Sequence, residues 1–461
     1  MTIRAQAPLA VLFVAMVVAA GIAANGIGRA TPADAPAATV SSSTWVCPHG
    51  GDESWTGSVT LMNPGDADVD VRISTIGRTR SGSSGGAATG TTVPARGQVI
   101  HDVPVTDRGA ATVVDAFGGW IGVAWTVSSD DPAGLGAEPC APGGDRRWFA
   151  ADPGTPEGDD AFLVVANPYD VEAIVDVALF TADRPPIRPE EWTDLEIGPR
   201  RSVALAVNRA AEGERALVAD VTAQVGRVAV ASFVTSRDGG IRSALATPSF
   251  VGPTREFPVA GGAGATTLSI GVPSEIEARF DATLLTGESP QAAGGLTDPE
   301  QAGPTAQPYD IPTDGAASIH LDVETSDAIV AALRADGRAV DDGATAGAAD
   351  PAEAWVVPST VMGEPSFPEV VVVNPGSRDA SVTLEHLASG EAITTREQRI
   401  AVPAGATVVV PQPFLAAAPD AAILARSDGE GIVVLGASAS LGIEGFARYA
   451  LVLGLPLPDG L

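Results

Sequence analysis

The chain breaks into short apolar runs. Runs of about four to eight residues, rich in Val, Ile and Thr, alternate with polar positions and are bounded by Pro, Gly, Asp and Asn. "VDVRIS" from Val69, "IVDVALF" from Ile174 and "SVTLEHL" from Ser381 show the alternation. A period of two puts every second side chain on one face, which is strand geometry. Alanine-rich "SDAIVAALRADG" from Ser326 would read as helix alone. Its presumed repeat counterparts, "AILARSDGEG" from Ala421 and "ATVVDAFGGW" from Ala111, read as hairpins, so a strand is expected there too.

The runs recur. "VTLMNPG" at Asn63, "FLVVANPY" at Asn167 and "VVVVNPG" at Asn374 each end in Asn-Pro, at Pro64, Pro168 and Pro375. Asn63 and Asn167 are 104 positions apart, and Asn374 lies 207 further on, close to two periods. A degenerate copy is therefore expected near residue 271, where "TLSIGVPSE" places Val272-Pro273. A tryptophan opens three copies, Trp45, Trp148 and Trp355, with Phe257 as its stand-in. A proline turn follows at Pro94, Pro199, Pro312 and Pro403. Several landmarks in one order are the mark of internal duplication.

The expected fold is all-β. Each copy has room for about seven strands, the size of an immunoglobulin-like β-sandwich. The predicted units are 44–140, 145–250, 254–350 (degenerate) and 353–461. The alternative is that the repeats form a propeller-like closed β assembly.

Asn-Pro reads as turn chemistry: asparagine bonds its own backbone two residues on, and proline stops the ladder. The opening tryptophans read as plugs at joins between units or at one end of a sandwich. Trp55 and Trp120 are the candidate glycan contacts, since stacking needs an exposed ring.

The amino terminus sets the compartment. Arg4 precedes an uncharged stretch whose apolar centre, Ala7 to Ala24, is 18 residues long. That suits a signal-anchor over residues 1–29, or a cleaved secretory signal with its site near Gly21 to Ala24. Residues 30–43 read as a flexible linker. The expected location is the cell membrane, single-pass, with the C-terminal region outside the cytoplasm; the alternative is secretion. Cys47 and Cys140 fit one disulfide of an exported protein, with a metal or redox pair as the alternative. Such a bridge resembles a cap on an end unit with no neighbour on one side.

Composition narrows the function. Acidic residues outnumber basic ones, 57 to 27, for a formal charge of −30, and the basic residues are all arginine. That argues against nucleic-acid binding. "GSSGG" from Gly82 matches the Gly-x-Ser-x-Gly expression, but sits in a Gly/Ser loop without the strand and helix of a nucleophile elbow. His49, His101, His320 and His386 lack metal-ligand spacing, although His101 and His320 fall at similar repeat positions. Asp66, Asp68 and Asp70 share one strand face, either as a solvated edge or as a site for a hard cation. No catalytic residue, metal ligand or cofactor is expected.

The Trp opening, "VVANP", the proline turn and the paired hairpin resemble a family of unknown function from actinobacteria. The similarity is clearest from Trp45 to about Ser249 and from Trp355 onward. Members of that family are exported or membrane-anchored through one N-terminal helix. They are encoded beside a membrane glycosyltransferase of the cell envelope. The resemblance implies an accessory role in envelope polysaccharide assembly, with that enzyme as a partner. The expectation is a non-enzymatic, membrane-tethered scaffold that binds an envelope protein. The alternatives are a cell-wall carbohydrate-binding array and, less favoured, an enzyme.

Overall fold

The computed structural model describes residues 42–461 apart from 78–87, 131–132, 238, 261–262, 288, 294–295, 297–298, 314, 326–328, 338–341, 360–365, 388–396, 430, 442–446 and 459–460. The expected anchor (1–29), most of the linker (30–43) and "GSSGG" lie outside the described residues. Among the described residues no helix is long and apolar enough to cross a membrane. Their one α-helix is α1 (Gln412–Leu415).

The rest is antiparallel β-structure in four sets. The first holds β1 (Ser42–Cys47), β2 (Thr56–Asn63), β3 (Val69–Ile76), β4 (Thr89–Val93), β5 (Gly97–Val103), β6 (Ala111–Phe117), β7 (Gly122–Asp130) and β8 (Ala133–Pro139). The second holds β9 (Arg147–Ala150), β10 (Asp160–Asn167), β11 (Ala173–Phe180), β12 (Leu195–Ile197), β13 (Arg201–Ala206), β14 (Val218–Val225), β15 (Ala229–Thr235) and β16 (Ile241–Leu245). The third holds β17 (Thr254–Val259), β18 (Ala263–Val272), β19 (Glu277–Leu285), β20 (Gln291–Ala292), β21 (Glu300–Ala302), β22 (Thr305–Ile311), β23 (Ala317–Val323), β24 (Val330–Gly337) and β25 (Asp342–Thr345). The fourth holds β26 (Ala354–Val357), β27 (Ser366–Asn374), β28 (Ala380–Leu387), β29 (Gln398–Val402), β30 (Ala406–Val409), β31 (Ala422–Ser427), β32 (Val433–Leu441), β33 (Ala447–Leu453) and β34 (Leu455–Pro456).

One strand order recurs. The first set forms the sheets β1-β6-β3-β4 and β5-β2-β7-β8. The second repeats it as β9-β14-β11-β12 and β13-β10-β15-β16. In the third, β20 and β21 share the fourth place on β19; in the fourth, β34 adds to β26. Each set thus holds eight strand places rather than the seven expected from length.

Sheets pack on both faces. Along β10 and β15 nearly every residue is buried, whereas β11 and β28, further from the centre, alternate buried and half-buried. A continuous buried run is what a strand covered on both faces shows. Val46, Val113 and Ile76 of the first set share one apolar cluster with Leu163 and Val165 of the second. Phe149, Phe180 and Val218 of the second set pack with Ala306, Val330 and Ala332 of the third. The third and fourth sets share a single cluster that includes Phe257, Ile319, Val371 and Val434.

The chain then closes on itself. The eighth strand places, β8, β16, β25 and β33, meet in a cycle at the centre. Leu135 and Ala137 of β8 pack on Ala450 and Val452 of β33. Glycines allow the close approach elsewhere: a Cβ at Gly136 would stand 2.9 Å from Ile241 Cγ2, and one at Gly343 would stand 2.6 Å from Leu451 Cγ. Between β16 and β25 the link is Arg242 to Asp342, at 3.2 Å.

Each joint on the rim uses the second residue of the fifth strand place. Ser202 Oγ donates to Gly109 O, Ala306 N to Thr181 O at 3.2 Å, and Thr407 Oγ1 to Leu285 O at 2.9 Å. At the closing joint Gln98 Nε2 donates to Asp420 O.

Three expectations are corrected. The first set has neighbours on both sides, so the Cys47–Cys140 bridge is not a cap on an open end. It ties β1 to the residue just after β8, with Cα atoms 4.5 Å apart. In the third copy the proline turn between the fourth and fifth strand places is Gly303-Pro304; Pro312 follows the fifth strand. "VAALRADG" is β24, a seventh strand place, whereas its presumed counterparts at Ala111 and Ala421 belong to sixth strand places.

Bracket turns and joint clefts as the candidate functional site

The three asparagines make the same bracket. Asn63 Nδ2 donates to Ala67 O at 2.8 Å and Val93 O at 3.1 Å, while its Oδ1 accepts Gly65 N–H at 2.9 Å. Asn167 does so with Val171, Ile197 and Tyr169, and Asn374 with Arg378, Val402 and Gly376. One buried amide closes the turn after the second strand and pins it to the end of the fourth. The third copy lacks the asparagine. There Gln301, on β21, sends its amide the other way, to Ile270 O at 3.1 Å.

An arginine completes two of these brackets, and the sequence reading missed it. Arg96 and Arg200 both hold φ of 53°. Nη1 of each reaches the carbonyl of the bracket proline, Pro64 at 3.0 Å and Pro168 at 2.8 Å. Gly405, with φ of 63°, takes the place in the fourth set. The available signal was "PAR", "PRR" and "PAG" at matching phase.

The opening tryptophans are buried. Nε1 of Trp148 donates to Val228 O, and that of Trp355 to Ile432 O, each carbonyl lying just before a seventh strand. Trp45 instead meets Trp120 edge-on at 5.9 Å. Trp120 is only 8% exposed, so it offers no open ring face for a sugar. Trp55 is half-buried and lies 5.5 Å from Phe233 of the second set.

The remaining candidates separate. Asp68 accepts Ala95 N–H at 2.9 Å, Asp70 accepts the Thr92 hydroxyl at 2.8 Å, and Asp66 lies 3.6 Å from Arg96. Among the described residues no group of three His, Cys, Asp or Glu side chains is placed to hold a metal ion. His101 is on β5 and His320 on β23, so they are not repeat equivalents. His320 Nδ1 pairs with buried Glu256, whose hydrogen bond raises the imidazole pKa above its ordinary value. Ser318 Oγ donates to the same carboxylate at 3.0 Å, so no hydroxyl is poised on the imidazole. His386 stacks on Phe414 at 4.0 Å. His49 bonds Gly50 O and Thr112 Oγ1, and burial lowers its pKa to about 4.

Two clefts open where one set's loop between fifth and sixth strands overhangs the next set. The smaller, about 420 Å³, lies between Arg108 and Phe162. The larger, about 700 Å³, is walled by Asp152 and Arg215 from the second set and Thr267, Asp310, Arg334 and Asp336 from the third. Behind it Arg242, 3% exposed in its side chain, pairs with Asp152 at 2.6 Å and Asp342 at 3.2 Å. Arg334 joins Asp342 at 2.8 Å. Burial pushes the Asp342 carboxyl above its ordinary value, against the pull of Arg334 and Arg242. For Arg334 burial works downward, but Asp342 and Asp152 outweigh it and the pKa is raised.

Comparison with curated proteins finds no match. Among solved structures, E. coli alpha-2-macroglobulin in its native conformation overlaps 90% of this chain at 9% identity and a TM-score of 0.17. The chain spans 33% of that structure, and a likeness this low carries no argument. A family profile matches well over half the length, at residues 101–413, and the chain belongs to that family, DUF5719, a family of unknown function.

Proposed function

We propose that this protein is a non-enzymatic interaction scaffold of the cell envelope, held outside the cytoplasm by its N-terminal segment. The observation that carries the reading is where the repeat markers are spent. Asn63, Asn167 and Asn374 brace turns, Trp148 and Trp355 anchor strands inside their sets, and Gln98, Ser202 and Thr407 link neighbouring sets. A frame so braced displays its turns rigidly, which lowers the ordering cost of binding.

In this reading the repeats over 44–140, 145–250, 254–350 and 353–461 are immunoglobulin-like units joined in a closed, propeller-like ring. The buried Cys47–Cys140 disulfide supports an oxidising compartment. On the face that carries the bracket turns, Phe117, Val171, Val225 and Ile276 are exposed. That surface suits a protein partner, with an envelope glycosyltransferase as the first candidate.

The test is crosslinking in the native membrane followed by purification of the full chain. Enrichment of one envelope protein, lost on Val171→Asp with Val225→Asp, is the expected result. Crosslinks with no envelope protein enriched over a control ectodomain overturn the reading.

A further inference from the structure

The joints differ at one pair of positions. In the second set Phe162 and Phe233 face each other across β10 and β15 and stack at 5.1 Å. Trp55 and Arg108 of the first set cover them, with the guanidinium 5.1 Å from the Phe162 ring. This is an aromatic plug. Phe162 stands five residues before Asn167, and Thr267 stands five before Val272, which holds the asparagine's place. Thr267 pairs with Arg334 across β18 and β24, as Phe162 pairs with Phe233. The two stacked phenyl rings are thus replaced by a hydroxyl and a guanidinium. Arg215 stands three residues before β14, as Arg108 stands three before β6, but here it faces Asp310 at 3.4 Å. The plug is gone, and the cleft here measures about 700 Å³, against about 420 Å³ at the plugged joint.

The volume lies within the span of about 300–1,000 Å³ usual for small-molecule sites. Its walls decide the ligand class. Thr267 Oγ1 donates to Asp310 Oδ1 at 2.9 Å, and Arg334 pairs with Asp336 at 2.8 Å. Each charge is already matched by a partner. An anionic ligand would meet Asp152, Asp310 and Asp336; an apolar one would strip water from charged groups without replacing it. Hydroxyls both donate and accept, so they can serve carboxylate and guanidinium together.

We infer that the cleft between the second and third sets binds a neutral sugar, of the size of one or two residues. The site goes beyond the scaffold reading and does not need it: a partner protein could dock elsewhere on a ring that also holds a glycan.

The test is calorimetric titration of the purified full chain with glucose, mannose, galactose, N-acetylglucosamine and maltose, with glucuronate and glucose 6-phosphate as charged probes. Binding of at least one neutral sugar is expected, weakened about tenfold or more by Thr267→Phe, which puts one of the two rings back into the cleft. Arg215→Ala, at the exposed rim, is a second variant should the phenylalanine upset folding; circular dichroism and Tm report on that. Binding of none of the neutral sugars overturns the inference. So does preference for the charged probes, or neutral-sugar affinity unchanged within about twofold in folded variants. Failure of the crosslinking to enrich any envelope protein would sink the scaffold reading and leave this result standing.

Discussion

Gln98 Oε1 accepts the backbone N–H of Ala422 at 2.7 Å, joining residues 324 positions apart. Nε2 of the same side chain donates to Asp420 O, so one amide exchanges two bonds across the joint where the first set meets the fourth. Gln98→Ala leaves the part-buried Asp420 carbonyl and the buried Ala422 N–H without that partner. The expected loss is about 2–4 kcal/mol, at about 1–2 kcal/mol for each stranded group. Urea denaturation measures it. Hydrogen exchange locates it, with the Ala422 amide losing protection before amides of the second set.

The asparagine brackets make parallel predictions. Asn63→Ala and Asn374→Ala each free two carbonyls and one N–H, and Asn167→Ala frees three carbonyls, Gly198 O included, and one N–H. Each should cost about 2–4 kcal/mol. Asn→Asp at the same positions should cost at least as much, because a carboxylate cannot donate to Val93, Ile197 or Val402. Equal losses at the three sites, by denaturant midpoint, are the expected outcome; a neutral Asn167→Asp would show that the bracket does not stabilise the fold.

Reduction of Cys47–Cys140 releases a loop of 93 positions. The chain-entropy relation gives about 4.6 kcal/mol for such a loop. The Cys47→Ala, Cys140→Ala double variant should unfold at lower denaturant by that margin. Its midpoint should not respond to reductant, whereas the parent's should.

Two buried groups give pH dependences of opposite sign. His49 has a folded pKa of about 4 against an ordinary value of 6.5, so the unfolded chain takes up its proton first as pH falls. Its contribution is present above pH 6.5 and is lost between about 6.5 and 4, up to about 3 kcal/mol. Glu138 runs the other way. Burial, opposed by its bond from the Leu245 backbone, raises its folded pKa well above 4.5. The neutral acid is then favoured in the fold, and stability falls as pH rises above the unfolded value. His49→Gln should flatten the profile between pH 4 and 6.5. Glu138→Gln should raise the unfolding midpoint at pH 7 and change little near pH 4. Thermal melts across pH 4–8 read both.

Legibility followed range. Asn63, Asn167 and Asn374 were readable because an Asx turn closes over a few residues, and its chemistry stands in "NPG" and "NPY". The Cys47–Cys140 pair was readable because two cysteines leave one pairing. The third copy misled at its turn because two prolines, Pro304 and Pro312, flank the fifth strand and only one opens it. Trp120 was misjudged because a Gly-Gly turn signals exposure, while Trp45 lies against its ring. The cleft was invisible: it needs the cross-strand pairing of Thr267 with Arg334 and an arginine from another set.

What the amino-acid order determined alone was strand period, turn chemistry and the repeat near 104 residues, all of them local or additive along the chain. What only the tertiary structure decided was closure. A sheet with two apolar faces must be covered twice, and the chain does not say by which neighbour. Placing Leu135 and Ala137 against Ala450 and Val452 gives the first set a cover on its open side. That contact turns four sets in a row into a ring, and it sets neighbouring loops over neighbouring sheets, which is where the clefts arise.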